Sequence, residues 1–434
     1  MKRVLAVLVA SLFAGGATAA DLMQVYQDAL ANDAKFSAAR AQFEAGQEKV
    51  VQGRAGLLPQ VGMDANTTWN DANLKPIGAQ PRAGGYNSNG YGVQLTQPLF
   101  RWQNWMQFKQ GELQTALAET QFGIARQDLV LRVAEAYFNV LNAQDALAAV
   151  TQLRTAAGEQ LELAKTSFEV GTVTITDVHE AQSRFDLASA QEIAAQNQLE
   201  VARQTLAQII GKQPEHLAGL REGVGLQRPR PENIADWVAA AESGSFGVQA
   251  QQLVREIAAR EVERARAGHL PTVDVVARHG VNNDLQLSAG RNEVTSVALQ
   301  LNVPLFAGGR VSSVSREAAA LRVKADADLE DARRSAALAA RQSWLGVTSG
   351  MAQVKALEAA RVSSTSALDA NKLGYEVGVR INIDVLNAQT QLADTLQKLA
   401  RARYDTLLAQ LRLKAAAGTL SEDDVRSINA LLAP

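Results

Sequence analysis

Phe168-Glu169-Val170-Gly171 and Tyr375-Glu376-Val377-Gly378 are one aromatic-Glu-Val-Gly word written twice, 207 positions apart (375 minus 168). At the same offset Asp177 falls on Asp384, Ala181-Gln182 on Ala388-Gln389, and Gly211 on Gly418. Farther out, Pro98-Leu99-Phe100 returns as Pro304-Leu305-Phe306, and Leu58-Pro59 as Leu270-Pro271, with small insertions between. So many matches in register mark an internal duplication, and two structurally equivalent halves are expected. Each half reads as helix, two strands, very long helix, tight turn, long helix.

The two words end on glycine, the usual helix C′ residue because it takes φ > 0 without strain. Thr174, Thr176 or Asp177 after the first word, and Asn382 or Asp384 after the second, are residue types that cap a following helix. No proline interrupts Trp102–Phe168 or Val311–Tyr375. At 1.5 Å per residue each predicts a helix of roughly 100 Å, far beyond the usual globular length of about 11–12 residues. The returning segment from Thr172 to Gly211 carries a heptad seam: Val178, Ala181, Phe185, Ala188, Glu192, Ala195, Leu199, Ala202, Leu206, Ile209. Its copy runs from Val385 and Ala388 to Leu413 and Ala416. Seven-residue spacing predicts left-handed supercoiling against neighbouring helices. Half of the seam is alanine or threonine, so it needs many neighbours to hold it. Leu22–Gly56 and Asn233–Gly268 read as one further helix in each half.

Between Leu-Pro and Pro-Leu-Phe the pattern changes to period two. Val61, Met63, Ala65, Thr67 and Trp69 alternate with Gly62, Asp64, Asn66, Thr68 and Asn70; Val297, Leu299, Leu301 and Val303 alternate with Ala298, Gln300 and Asn302. Runs of about 12–15 residues with one polar face are long enough to cross a bilayer at a tilt. Trp69, Tyr86, Tyr91, Trp102 and Trp105 lie near strand ends, where interfacial aromatic girdles occur.

The chain opens Met1-Lys2-Arg3, runs apolar from Val4 to Phe13 and closes with Ala17-Thr18-Ala19-Ala20. This is the form of a cleaved secretory leader, and export is expected. Lys+Arg 43 against Asp+Glu 45 leaves no basic excess for a nucleic-acid partner. There is no cysteine, hence no disulfide framework and no acylated N-terminal cysteine. No apolar run of 18 residues follows the leader, so membrane insertion would have to be as a β-barrel. Enzyme signatures such as G-x-x-x-x-G-K-[ST], H-E-x-x-H and G-x-S-x-G are absent from the sequence. His179, His216, His269 and His279 are scattered without ligand spacing; no enzyme activity and no cofactor or metal are expected. Gly84-Gly85 and Gly308-Gly309 read as turns.

Four half-polar strands cannot close a barrel, because closed membrane barrels start at eight and open edges in lipid leave amides unpaired. Several copies closing a ring would remove both this difficulty and the thin seams. A β-barrel continuous with a helical barrel, its polar strand faces lining water, is the expected assembly. A periplasmic coiled-coil scaffold or adhesin is the alternative class.

Leu22-Met23-Gln24-Val25-Tyr26-Gln27, Tyr137-Phe138-Asn139-Val140-Leu141-Asn142-Ala143, Gly268-His269-Leu270-Pro271-Thr272 and the stretch from Tyr375 to Leu420 resemble the TolC family of outer-membrane channel-tunnels. The resemblance covers essentially the whole chain after the leader. It implies an α+β membrane protein: a homotrimer in outer-membrane lipid with a 12-stranded transmembrane β-barrel, four strands per protomer, continuous with a long α-helical coiled-coil barrel in the periplasm. It implies a periplasmic adaptor (membrane-fusion) protein and an inner-membrane ABC or RND-type transporter as partners. The expected layout is a signal peptide over 1–20, a first repeat over 21–211 and an equatorial linker over 212–231. A second repeat over 232–418 and a C-terminal equatorial segment over 419–434 follow. Strands are expected at about 60–73, 87–100, 271–285 and 292–306, with short barrel loops around Asn70–Ser88 and Leu285–Asn292. The resemblance places Asp384 in an acidic gating ring whose second position is Asn387 here, leaving one carboxylate per copy. It places Asp177, Tyr375 and Arg380 in a clasp that holds the entrance closed. The turns Gly171-Thr172-Val173 and Gly378-Val379-Arg380 are the expected adaptor contacts.

Overall fold

The computed structural model describes residues 19–75, 77, 78, 80, 82–214, 216–221, 223–283 and 290–433. The expected leader up to residue 18, most of the loop expected at Leu285–Asn292, and Pro434 lie outside the described residues. In chain order the elements are α1 (Leu22–Asn32), α2 (Ala34–Ala55), β1 (Gln60–Leu74), β2 (Arg82–Phe100), α3 (Trp102–Glu169), α4 (Ile175–Ile210), α5 (Ile234–Gly244), α6 (Phe246–Arg266), β3 (Thr272–Asn283), β4 (Arg291–Asn302), α7 (Arg310–Glu376), α8 (Asn382–Ala416) and α9 (Glu422–Asn429). The two proline-free stretches are single helices of 68 and 67 residues.

The sequence reads Leu22–Gly56 and Asn233–Gly268 as one helix each; the structure breaks both. Asp33 is extended (φ −67°, ψ 118°), and its carboxylate accepts from the Phe36 amide at 2.6 Å. Ser245 is extended in the same way (φ −64°, ψ 136°), with its hydroxyl oxygen accepting from the Val248 amide at 3.2 Å. A short side chain that satisfies the backbone locally competes with helix continuation, so each break is capped where it occurs. β1 and β2 extend beyond their sequence bounds, whereas β4 stops at Asn302, short of the expected 306. Gly84 and Gly85, read as a turn, belong to β2, and β1 reaches Leu74, so the first loop is only 75–81. Glycine at 85 leaves room for the Trp69 ring, whose Cζ2 would stand 3.2 Å from a Cβ there. Gly308 and Gly309 do take turn conformations, at φ 60° and 81°.

The chain divides into two compact units, one comprising the chain to Arg40, Phe122–Val248 and Arg333 onwards, the other Ala41–Gln121 and Gln249–Ala332. The first unit has a core of Leu22, Val25, Leu129, Tyr137, Phe138, Leu206, Leu407 and Leu411. Phe138 stacks on Tyr404 with centroids 5.6 Å apart. The early and late parts of the chain are stitched together beside this core. The Ala20 amide donates to the His216 carbonyl at 2.7 Å, the Ala218 amide to the Ala20 carbonyl at 3.1 Å, and the Ala433 amide to the Gly219 carbonyl at 2.7 Å. The Tyr137 hydroxyl donates to the Ala218 carbonyl at 2.7 Å. Burial raises the Tyr137 pKa, so the phenol keeps its proton for that bond. Every position of the α4 seam is at least half-buried, as are its counterparts in α8 from Val385 to Ala416.

The second unit contains an antiparallel sheet in the order β1-β2-β3-β4. Its register places Val61, Leu95, Ala277 and Val297 in one row, and Gly62, Gln94, Arg278 and Ser296 in the next. Side chains alternate across a strand, so one face is mainly apolar, with His279 and Glu293 standing 3.9 Å apart on it, and the other mainly polar. The apolar face is open: Val61 is 68% exposed, Met63 72%, Trp69 73%, Val297 75% and Leu299 70%. Tyr86 pairs with Asn70, on the face opposite Trp69 and Tyr91. β1 and β4 each lack a strand partner on their outer side among the described residues. Where β2 passes into α3, Arg101 grips Asp274 through two hydrogen bonds, at 2.7 and 2.6 Å.

Candidate gate at the helix turns

Each turn is a Schellman cap. The Gly171 amide donates to the Phe168 carbonyl and the Thr172 amide to the Ser167 carbonyl; the Gly378 amide donates to Tyr375 and the Val379 amide to Gly374. Both glycines are left-handed, at φ 80° and 77°, as the C′ position requires. The repeated word therefore encodes a helix stop.

The helices that follow start differently. Thr174 caps α4, and Asp177 closes a capping box: its carboxylate accepts from the Thr174 amide at 2.8 Å and from the Thr174 hydroxyl at 2.7 Å. The second turn departs from the sequence expectation that Asn382 or Asp384 caps α8. Ile381 takes the N-cap position without a side-chain bond. Asn382 is turned inward and buried, and its Oδ1 has no hydrogen-bond partner among the described residues; the same holds for Gln389 Oε1 one helical stretch on.

Asp177, Tyr375 and Arg380 line one recess of about 630 Å³, together with Ser167, Thr172 and Asn382. Asp177 and Arg380 do not face each other as an ion pair there. The Asp177 carboxylate is occupied by Thr174, and the Arg380 guanidinium reaches Asp384 at 3.6 Å, one helical turn along. Asn387 accepts from Arg184 of α4 at 3.1 Å. No spacing in the sequence points to Arg184, because the partners are 203 residues apart. Beneath the turns, Ala157, Leu161 and Ala164 of α3, Ala181 of α4 and Leu386 of α8 form a small apolar cluster. Three of its five members are alanine, so little area anchors α8 at this end.

The turns carry exposed apolar side chains: Val170, Ile175, Val377, Val379 and Ile381. Among the described residues no cluster of His, Cys, Asp or Glu could hold a metal ion, and no helix is long and apolar enough to cross a membrane. The arrangement provides charge and hydrogen bonding at two helix turns.

Residues 25–212 and 237–419 match the family described as outer membrane efflux protein. The chain is similar to outer membrane protein TolC of Escherichia coli (strain K12), with 34% identity over 99% of this chain and 89% of that one. It is similar to the alkaline protease secretion protein AprF of Pseudomonas aeruginosa, with 32% identity over 95% of this chain and 88% of that one. Its fold matches the crystal structure of outer membrane protein VceC of Vibrio cholerae with a TM-score of 0.79 at 20% identity, covering 92% of this chain and 96% of that one.

Proposed function

Because the chain belongs to the outer membrane efflux protein family, whose members are channel and transport proteins of the outer membrane, we propose that it is the exit duct of a tripartite export system. Three copies close a 12-stranded barrel, β1 of one copy pairing with β4 of the next, and the helices continue the duct through the periplasm. The observation that carries this is the sheet: its apolar face leaves Val61, Met63, Trp69, Val297 and Leu299 open to the outside, and among the described residues both its edges lack a partner strand. A large exposed apolar patch marks a membrane or partner surface, and lipid does not tolerate open strand edges. A scaffold or adhesin would need neither.

The turns are the periplasmic gate. Asp177, Tyr375 and Arg380 form its clasp and Asp384 its acidic ring, with Asn387 in the second ring position. The recess that Asp177, Tyr375 and Arg380 share supports the clasp, and the thin alanine cluster behind it supports a gate that yields. A buried oxygen without a donor costs about 1–3 kcal/mol, so Asn382 and Gln389 also leave the closed arrangement easier to displace. The adaptor docks at Gly171, Thr172, Val173, Gly378, Val379 and Arg380, beside the exposed Val170, Ile175, Val377 and Ile381, and an ABC or RND-type transporter drives export. Relatives named for protease secretion and one named for efflux support a cargo of proteins or drugs.

Planar-bilayer recording tests the reading. The purified protein should form cation-preferring channels, and Tyr375→Phe with Arg380→Ser should raise their conductance. Absence of current from correctly targeted protein overturns the duct; an unchanged conductance overturns the clasp. Site-specific crosslinking should join the adaptor to the two turns, and crosslinks at the barrel alone would exclude docking there.

A further inference from the structure

The polar face of the sheet holds a charge couple that spans a whole strand. Arg278 on β3 and Asp64 on β1 are separated by β2, so their backbones lie about 9.6 Å apart at two strand spacings. Even so, Arg278 Nη2 stands 3.9 Å from Asp64 Oδ2. The residue between them explains how. Asp64 is in register with Gly92, and Gly92 with Gly280. A Cβ at Gly92 would stand 3.2 Å from Asp64 Oδ1 and 3.4 Å from Oδ2. The carboxylate therefore lies folded down over the bare backbone of β2, where a side chain at 92 would crowd it. Arg278 reaches toward it from the neighbouring row, where Gly62 is again bare.

Among the described residues, Arg278 is the only cation on this face between the rows of Asn70 and Asp274. Asp64 is the only anion there besides Asp274, which Arg101 already holds. We propose that Arg278 sets the charge of the barrel wall, and that Asp64, laid across Gly92, is the positioning residue that holds its guanidinium down along that wall. This rests on the reading of the polar face as the lumen. Each copy then presents cation and anion side by side across β2, and the wall passes cargo of either charge. Without the carboxylate, one guanidinium per copy would project toward the axis as a positive ring, and rings of one sign select against like charge.

The test is the reversal potential across a salt gradient, in chains carrying Asp384→Ala so that charge at the turns does not mask the wall. Asp64→Asn should lower the cation-to-anion permeability ratio roughly twofold, and Gly92→Val should move it the same way although every charge remains. Arg278→Gln should raise the ratio, and Asp64→Asn combined with Arg278→Gln should restore it. A current with the same reversal potential in Asp64→Asn and its parent overturns this inference and leaves the duct standing. No current from any chain removes the duct and this inference with it. Because the chain contains no cysteine, Arg278→Cys gives an independent reading. A water-soluble anionic thiol reagent should change its current and leave the parent's unchanged; no change overturns the lumenal placement of residue 278.

Discussion

Arg132, midway along α3, holds both carboxylate oxygens of Asp33, Nη1 to Oδ2 at 2.8 Å and Nη2 to Oδ1 at 3.0 Å, at the residue where α1 gives way to α2. The Arg132 hydrogen bonds, helped by the Phe36 amide, hold the Asp33 carboxyl below the usual carboxylate range despite its burial. Removing one partner of a buried pair strands the other, at a cost of about 3 kcal/mol, so Asp33→Ala should lower the thermal midpoint. A depressed folded pKa stabilises above the unfolded value of about 3.9. That contribution is lost as pH falls through the folded value. Asp33→Asn should therefore flatten the acid limb of the stability curve below about pH 4, read by circular dichroism.

Tyr404 donates to Asp145 at 2.7 Å. Burial raises the Asp145 carboxyl, while this bond and Arg403 pull it back down. Tyr404→Phe removes the donor and should cost about 1–3 kcal/mol. A raised folded pKa means that the folded state binds its proton more tightly than the unfolded one. Stability from this group is then highest at low pH and falls as pH rises between the unfolded and folded values. The deficit of Tyr404→Phe should be larger at pH 8 than at pH 4; denaturant titration at the two pH values decides it.

Leu299 and Gln300 are neighbours on opposite faces of β4. Leu299→Arg should destabilise the barrel by about 2–4 kcal/mol, the cost of a cation on the lipid face near the midplane. Gln300→Arg points the same charge into water, in register with Asp274, and should fold. The heat-modifiable fraction on gels distinguishes them; equal yields would mean that Leu299 does not face lipid, and reversed yields that the faces are assigned the wrong way round.

Arg380 lies 3.6 Å from Asp384 and offsets part of its charge. Asp384→Ala should weaken cation preference and block by divalent metals, while Arg380→Ser alone should strengthen both. Reversal potentials identical in all three chains would exclude the ring.

The long helices, the seam and the strand faces were legible because each is a period extended over many residues, and a period survives local irregularity. The two glycine stops were legible because the word containing them is written twice. The breaks at Asp33 and Ser245 were not, since a single capping side chain leaves no period. Nor was the difference between the two turns, where Asp177 and Asp384 match at the repeat offset but only Asp177 closes a capping box. Arg184 with Asn387 and Arg278 with Asp64 lie beyond such reasoning, because both pairs join segments from different halves of the duplication.

The alanines of the α4 seam, Ala181, Ala188, Ala195 and Ala202, bear on how this molecule can move. A methyl group slid past another forfeits little dispersion energy, about 0.1–0.2 kcal/mol per atom pair, whereas interlocked leucines would resist step by step. In the proposed gate, alanine contacts of this kind would let the helices shift at the turns without unfolding, and the polar bonds at the helix ends would set the threshold.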